Sequence, residues 1–193
     1  MMATDAMGAN DGDCGDHGGY GIVASAVPHE VVLDCFKIGG RPGRALQKEL
    51  QLQGRASPEK PLARTVPFTR LPPVLFDESR TFWHVLAHGR WSWSEHITRG
   101  EMRAVLRMLI ILASCSRCHR SRILSLQDNM GVASILSKGR SSTPVLNYLA
   151  RRRCALCCFS EIYLLAPWVE SAKQPADKSS RDVATEEDRP TRG

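Results

Sequence analysis

The chain has 193 residues, of which 42% are apolar and 24% are charged, and its net charge is +6. This length suits one domain with or without tails, and the apolar fraction can supply a core. No apolar stretch approaches the ~20 residues of a membrane-spanning helix, and residues 1–21 lack the cationic start and apolar run of a signal peptide. We therefore expect a soluble, intracellular domain without a membrane partner.

The charge is distributed unevenly along the chain. Residues 1–36 contain six acids and no Lys or Arg, so the remainder carries 26 cationic residues against 14 acids. A body this basic suits a polyanionic partner, because Lys and Arg neutralise phosphates and release their counterions. A solvated basic surface without a partner is the alternative.

Residues 1–73 are predicted to be a largely disordered acidic N-terminus followed by a Pro-rich linker. Residues 1–21 are rich in Gly and Asp, and residues 41–73 are polar and contain six prolines. Between them, Glu30–Phe36 is predicted to form a short apolar strand that contains Asp34. The aspartates of residues 11–16 lack the remaining ligand positions of a calcium loop.

An ordered domain is predicted from Val74 to Arg181, with residues 182–193 as a disordered tail. Two short aromatic-rich runs, 82–87 and 90–94, flank His88-Gly89 and predict a hairpin. A long apolar helix should follow, capped by Ser94 or Thr98, with Glu101 near its N-terminus. Residues 121–127 then predict a strand that ends at Asp128.

The second half of this domain predicts two helices and a last strand. Asn129–Ser137 should form a short helix that stops at Gly139, and Pro144 should occupy the first position of a helix that runs to about Phe159. Ile162–Ala166 should be the last strand, with Asp177 beyond it. The order of elements predicts an α/β fold, a mixed sheet flanked by helices, in which acids at strand ends can converge.

Four short motifs in this half occur in an order that is typical of one family. They include a helix with His96, Ile97, Glu101 and Ala104; Asp128-Asn129 after a strand; a turn of residues 138–142; and Pro175, Ala176, Asp177, Ser180 and Arg181. This series resembles the ribonuclease H-like domain that follows the reverse transcriptase in retrotransposons, especially those that carry a tyrosine recombinase. It departs from the family pattern at Thr98, Gly100 and Gln174.

The resemblance implies a ribonuclease H-like fold and hydrolysis of the RNA strand of an RNA–DNA hybrid. It implies Glu101, Asp128 and Asp177 as catalytic ligands of two Mg²⁺ or Mn²⁺ ions. Clustered carboxylates repel one another unless a cation sits between them, and hard divalent ions suit that position. The structural alternative treats these acids as a helix-start charge, a helix cap and a tail acid.

The family pattern also contains an Asp on the first strand, commonly within Asp-Ala-Ser. The sequence predicts no such residue upstream of the Glu101 helix, and neither Asp34 nor Asp77 lies in a convincing context. Without this ligand a metal pair would be under-coordinated. A catalytically inactive, basic nucleic-acid-binding remnant of the same fold is therefore an alternative function.

The turn of residues 138–142 is the predicted nucleic-acid contact, because it brings backbone amides next to two cations. Its candidate residues are Lys138, Arg140, Ser141 and Ser142, with Arg181 added by the resemblance. The alternative is a helix C-cap followed by an N-cap, which accounts for Gly139 and Ser142 but for neither cation.

Seven cysteines include two C-x-x-C pairs, Cys115 with Cys118 and Cys154 with Cys157, which is also a pattern of zinc sites. A small zinc-binding interaction module is thus a second alternative. Zinc is nevertheless not expected, because Cys154 follows Cys118 by 36 positions and because Cys154 and Cys158 continue an apolar helical row. An odd number of cysteines without an export signal also argues against a disulfide framework.

Overall fold

The computed structural model of the protein describes residues 1–7, 18–39 and 81–181. Five strands form a mixed sheet in the order β3-β2-β1-β4-β5. They are β1 (Met2–Met7), β2 (Gly19–Ala24), β3 (His84–Arg90), β4 (Arg122–Leu126) and β5 (Tyr163–Leu165). The pairs β1–β2 and β2–β3 are antiparallel, whereas β4 lies parallel to both β1 and β5.

The helices are α1 (His29–Gly39), α2 (Ile97–Ala113), α3 (Met130–Lys138), α4 (Pro144–Ser160) and α5 (Asp177–Arg181). Short 3₁₀ turns occupy Ser116–Cys118 and Ser171–Lys173. Within the described ranges no helix is both long and apolar enough to cross a membrane.

Alternating side chains of the central strands build one core on each face of the sheet. Met2 and Ile22 belong to the main core, which also contains the buried sides of α2, α3 and α4. Ala3 and Val23 belong to a smaller core with Cys35 of α1. Asp5 and Gly21 pair across β1 and β2 and, by this alternation, face the side of the smaller core.

The sheet begins at Met2 and not near Val74, so residues 1–7 and 18–39 correct the prediction of a largely disordered N-terminus. The rest of that predicted segment, residues 8–17 and 40–73, lies outside the described residues. Five successive residues of β1, Met2 to Ala6, are buried. A central strand that is covered on both faces shows no apolar–polar alternation. The Gly- and Asp-rich composition therefore concealed two strands, β1 and β2. Asp77 lies outside the described residues.

Two further element predictions are wrong. The predicted strand with Asp34 is the helix α1, in which Val32 and Cys35 are buried at helical spacing while Asp34 is exposed. The predicted hairpin is the single strand β3, which continues through His88 and Gly89. Gly89 lies within the strand and not in a turn. It allows the Tyr20 side chain to pack closely against β3, since a Cβ at residue 89 would lie 3.0 Å from the Tyr20 hydroxyl.

The second half of the domain confirms its predicted elements. The long helix is α2, although its cap is His96, whose Nδ1 accepts from the Thr98 amide at 3.3 Å. Helix α3 ends at Gly139 with φ of 68°, and Pro144 begins α4. The observed sheet flanked by helices agrees with the predicted α/β class.

Candidate active site

An aspartate that sequence analysis missed lies at the centre of the sheet. Asp5 on β1 is only 6% exposed, and its Oδ2 accepts a hydrogen bond of 2.6 Å from the buried Ser180 hydroxyl. Burial raises the pKa of Asp5 most, and the charges of Asp128 and Asp177 raise it further, against the lowering effect of the Ser180 bond. Asp5 therefore lies within the electrostatic reach of two predicted ligands.

Gly21 makes this arrangement sterically possible. It pairs directly with Asp5 across β1 and β2. A Cβ at Gly21 would lie 2.3 Å from the Ser179 Oγ, 2.7 Å from the Ser180 amide nitrogen and 2.9 Å from the Ala176 carbonyl oxygen. Helix α5 can therefore dock against β2 beside Asp5 only because residue 21 has no side chain.

Glu101 is the fifth residue of α2 and is 6% exposed. Its Oε1 accepts a hydrogen bond of 3.1 Å from the Asn129 side chain. Burial raises the pKa of Glu101 to about 8, and the charges of Asp128 and Asp5 add to this effect, while the Asn129 bond opposes it. Without a cation Glu101 is thus largely protonated at neutral pH.

Asn129 connects Glu101 to the start of α3. Its Oδ1 accepts from the amides of Gly131 and Val132 at 2.9 and 3.2 Å, while its Nδ2 donates to Glu101. The same side chain therefore caps α3 and positions the carboxyl group on α2. Sequence analysis correctly placed Asn129 at the helix start but did not predict this second role.

Asp128 lies just beyond β4, separated from Leu126 by Gln127, close to the predicted strand end. The Trp168 ring nitrogen donates to its backbone oxygen at 2.6 Å, which fixes the chain where β4 ends. Its side-chain Oδ1 is buried and has no hydrogen-bond partner among the described residues. A buried carboxylate oxygen without a donor is unfavourable, so this atom has unused capacity to bind a cation.

Asp177 begins α5 and has 43% of its side chain accessible, whereas Asp5 and Glu101 are each 6% exposed. Its Oδ1 accepts from Arg181 Nε at 3.0 Å and from Nη2 at 2.8 Å. The structure therefore brings Asp177 close enough to influence Asp5 but turns its carboxylate towards Arg181.

Two buried glutamine side chains, Gln127 and Gln174, form hydrogen bonds with residues of β1 and β4. Gln127 donates to the Thr4 hydroxyl at 2.9 Å and to the Ser125 hydroxyl at 3.0 Å. Gln174 donates to the backbone oxygens of Thr4 and Leu126 at 3.2 and 3.4 Å. Gln174, where the family pattern has Asn, thus connects the segment before α5 to the middle of β1 and to the end of β4.

These four acids have the donor chemistry of a site for a hard divalent cation, although their side chains do not converge fully. Across residues 1–7, 18–39 and 81–181, no three His, Cys, Asp or Glu side chains are arranged to hold one metal ion. The unpartnered Asp128 oxygen and the raised pKa values of Asp5 and Glu101 nevertheless fit a cation, which would offset their repulsion. Side-chain rotation would have to complete the site.

The predicted nucleic-acid-contacting turn lies at the far end of α3 from Asp128. Lys138 is the last residue of α3 and, like Arg140 and Ser142, it is exposed. The Ser141 amide donates to the Asn147 side chain at 3.2 Å, and the Ser141 hydroxyl accepts from the Thr143 amide at 3.2 Å. These bonds of Ser141 stabilise the turn, while the Lys138 and Arg140 side chains are exposed to solvent.

The sequence contained a signal for Asp5. Asp5-Ala6-Met7 differs from the Asp-Ala-Ser pattern only at its third residue. The prediction that no first-strand aspartate exists is therefore corrected by the position of β1. Asp34 lies on α1, and Asp77 lies outside the described residues.

No model of a known protein family matches the chain, and no curated protein sequence matches it. Among solved structures, ribonuclease H1 from the halophilic archaeon Halobacterium salinarum is similar, with 12% identity, a TM-score of 0.50 and coverage of 95% of this chain and 96% of that one. The N-terminal ribonuclease H domain of a Mycobacterium tuberculosis protein, solved as a fusion with maltose-binding protein, is 16% identical, with a TM-score of 0.52 and coverage of 95% and 93%.

The mixed sheet in the order β3-β2-β1-β4-β5, flanked by helices, and these structural neighbours together show a ribonuclease H-like fold. This confirms the predicted fold class.

Proposed function

We propose that the chain is a metal-dependent nuclease that hydrolyses the RNA strand of an RNA–DNA hybrid. The gathering of Asp5, Glu101 and Asp128, with Asp177 nearby, carries this proposal. Burial raises the pKa of both Asp5 and Glu101, and the charges of neighbouring acids raise both values further, as expected of a carboxylate cluster that functions with a divalent cation. The similarity to ribonuclease H structures supports the same reaction class by analogy of fold.

Asp5, Glu101, Asp128 and Asp177 would hold the metal. When bound, two Mg²⁺ ions can activate water and stabilise the leaving oxygen of a phosphodiester. Ser180 keeps the Asp5 carboxyl group in one orientation, and Asn129 does the same for Glu101. Arg181 binds the Asp177 carboxylate and would compete there with a metal ion. A substrate phosphate that attracts Arg181 away would leave this carboxylate available to the metal.

The basic turn of residues 138–142 lies at the opposite end of α3 from Asn129. Helix α3 separates Asn129 from Lys138 by about 13 Å, or roughly four nucleotides of helical rise. Lys138 and Arg140 are exposed, and neither forms an ion pair with an acid in the described part of the chain. We propose that they bind backbone phosphates of the hybrid, with Ser141 shaping the turn and Ser142 available as a hydroxyl donor.

The four ordered motifs support an origin in a retroelement polyprotein. In such a polyprotein, a nuclease of this class would remove the RNA template after reverse transcription. The motif with Asp177, Ser180 and Arg181 is the part of the resemblance with the clearest structural basis, because Ser180 contacts Asp5 and Arg181 contacts Asp177.

The test is cleavage of an end-labelled RNA–DNA hybrid by the full chain with Mg²⁺ or Mn²⁺. Asp5→Asn and Asp128→Asn should each reduce the rate by about 100-fold or more, because several kcal/mol of charge stabilisation are lost. Asp34→Asn is the matched control, since Asp34 is exposed on α1. This variant should cut at the rate of the original protein.

Two results would contradict the proposal. One is metal-dependent cleavage that survives both Asp5→Asn and Asp128→Asn, which would indicate a contaminating nuclease. The other is no cleavage by a folded protein under any divalent metal.

One observation favours a second candidate function, a non-catalytic nucleic-acid-binding domain of the same fold. Asp177 is already held by Arg181, and in the described ranges no three potential ligands converge. Salt-sensitive hybrid binding that Lys138→Ala and Arg140→Ala weaken, without any cleavage, would support this candidate.

A further inference from the structure

We propose that Cys115 and Cys118 form a reactive dithiol site that exchanges with low-molecular-weight disulfides, such as oxidised glutathione, and closes to an intramolecular disulfide. This site lies beyond the C-terminal end of α2. It is independent of the proposed nuclease activity.

The backbone already holds the two cysteines at a suitable separation. Residues Ser116–Cys118 form a 3₁₀ turn, and the Cys118 amide donates to the Cys115 carbonyl oxygen at 2.8 Å. A turn with this bond keeps the Cα atoms of its first and last residues within about 7 Å, which overlaps the ~4.4–6.8 Å range of disulfides. The pair can therefore close with little backbone movement.

The two thiols have unequal environments, as an attacking and a resolving cysteine require. Cys115 is exposed, whereas Cys118 is partly buried and packs against the main core. A hydrogen bond with Cys118 lowers the pKa of the Cys115 thiol, and the charge of Arg117 adds to this effect. Burial raises the pKa of Cys118. Cys115 is thus the accessible thiol that ionises first.

Neighbouring residues keep the turn in place and make it cationic. His119 Nε2 contacts the Ala113 carbonyl oxygen at 2.8 Å, and the Ser121 hydroxyl donates to the Cys118 carbonyl oxygen at 2.5 Å. Arg117 is exposed beside Cys115. Its charge favours the thiolate and attracts an anionic disulfide such as oxidised glutathione.

The second C-x-x-C pair differs from the first in its exposure and in the pKa of its thiols. Cys154 and Cys157 lie within α4, and neither is exposed. Burial raises the pKa of Cys157, so this thiol is less reactive at neutral pH. Equal sequence spacing therefore produces one accessible dithiol and one packed pair.

The reaction balances in two exchanges. The Cys115 thiolate attacks one sulfur of the reagent, forms a mixed disulfide and expels one thiolate. Cys118 then loses its proton, attacks Cys115 and expels the second thiolate. Two electrons pass from the protein dithiol to the reagent, which is reduced to two thiols.

Intact mass spectrometry of the full chain tests the proposal after treatment with oxidised glutathione under native conditions. We expect loss of two hydrogen atoms and a peptide map that joins Cys115 to Cys118. Cys118→Ser should instead accumulate one stable glutathione adduct on Cys115. Cys158→Ser, which removes another exposed thiol, should behave as the original protein does.

The proposal fails if Cys115 retains a glutathione adduct while Cys118 is present, because resolution then does not occur. It fails equally if Cys158 reacts faster than Cys115, or if Cys115→Ser leaves the rate of internal disulfide formation unchanged.

Discussion

The two ends of α2 carry different chemistry in different surroundings. Near its N-terminus, Glu101 is buried and influenced by Asp5, Asp128 and Asn129, which come from distant parts of the chain. About 20 Å away, at 1.5 Å per residue, Cys115 is exposed and influenced by residues two and three positions along the chain. Burial makes the first site depend on the whole fold, whereas the second depends on a local turn.

This difference has an electrostatic consequence. Loss of water raises the pKa of Glu101 to about 8 and keeps the acid protonated. At the exposed end, a hydrogen bond lowers the pKa of Cys115 and favours the thiolate. The acidic end should therefore respond strongly to changes in packing, and the cysteine end should not.

The largest effect is expected from the pH dependence of stability without divalent metal. Folded Glu101 keeps a proton that unfolded Glu101, with an ordinary pKa of 4.5, releases. The contribution of protonated Glu101 to the free energy of unfolding is therefore fully present below about pH 4.5, and it is lost as the pH rises towards about 8. Between pH 5 and 8, the free energy of unfolding should therefore fall by about 2–4 kcal/mol less in Glu101→Gln than in the original protein. Urea unfolding at several pH values measures this difference.

Glu161→Gln is the matched control at the cysteine end of the molecule. Glu161 is exposed and pairs with Arg120 at 3.2 Å, so its replacement should leave the pH slope nearly unchanged. An unaltered slope in Glu101→Gln would show that Glu101 is not the buried proton carrier.

The next effect is expected from Gly21→Ala. The new Cβ would collide with backbone and side-chain atoms of α5, so we expect a loss of about 1–3 kcal/mol in the free energy of unfolding. Reaction of Cys115 with a thiol reagent should keep its rate, because the cysteine turn lies elsewhere.

Gly100→Ala is the corresponding glycine control. A Cβ there meets its nearest atoms at an ordinary 3.5 Å, and α2 should gain up to about 1 kcal/mol from the better helix former. Equal stability of Gly21→Ala and the original protein would mean that α5 does not dock tightly on β2.

The smallest effect is expected from the hydroxyl that contacts Asp5. Ser180→Ala should lose about 1 kcal/mol, and most of this loss should disappear in an Asp5→Asn background, because the Ser180 bond to the carboxyl group is already altered. Urea unfolding of the four proteins measures this coupling.

Ser179→Ala provides the comparison, since the Ser179 hydroxyl donates to the Ala176 backbone oxygen at 2.9 Å. Its effect should add to that of Asp5→Asn without coupling. Additive behaviour of Ser180→Ala would instead show that the Ser180–Asp5 bond contributes nothing in solution.

The sequence predicted the second half of the fold better than the first. Asn129, Gly139 and Pro144 are local signals with strong steric or hydrogen-bonding preferences, and each marks a real helix boundary. The first half lacked such signals. Gly21 and Gly89 suggested flexibility or a turn, yet both serve close packing within strands.

The sequence by itself determined the chemistry that is available: the acids of the short motifs, the basic turn after α3 and the spacing of Cys115 and Cys118. Tertiary structure alone decided that Asp5 joins the acidic cluster, because β1 must lie between β2 and β4 before its aspartate reaches Asp128. It also decided which C-x-x-C pair is accessible. Burial and long-range pairing, which set pKa values and exposure, arise only when distant segments pack together.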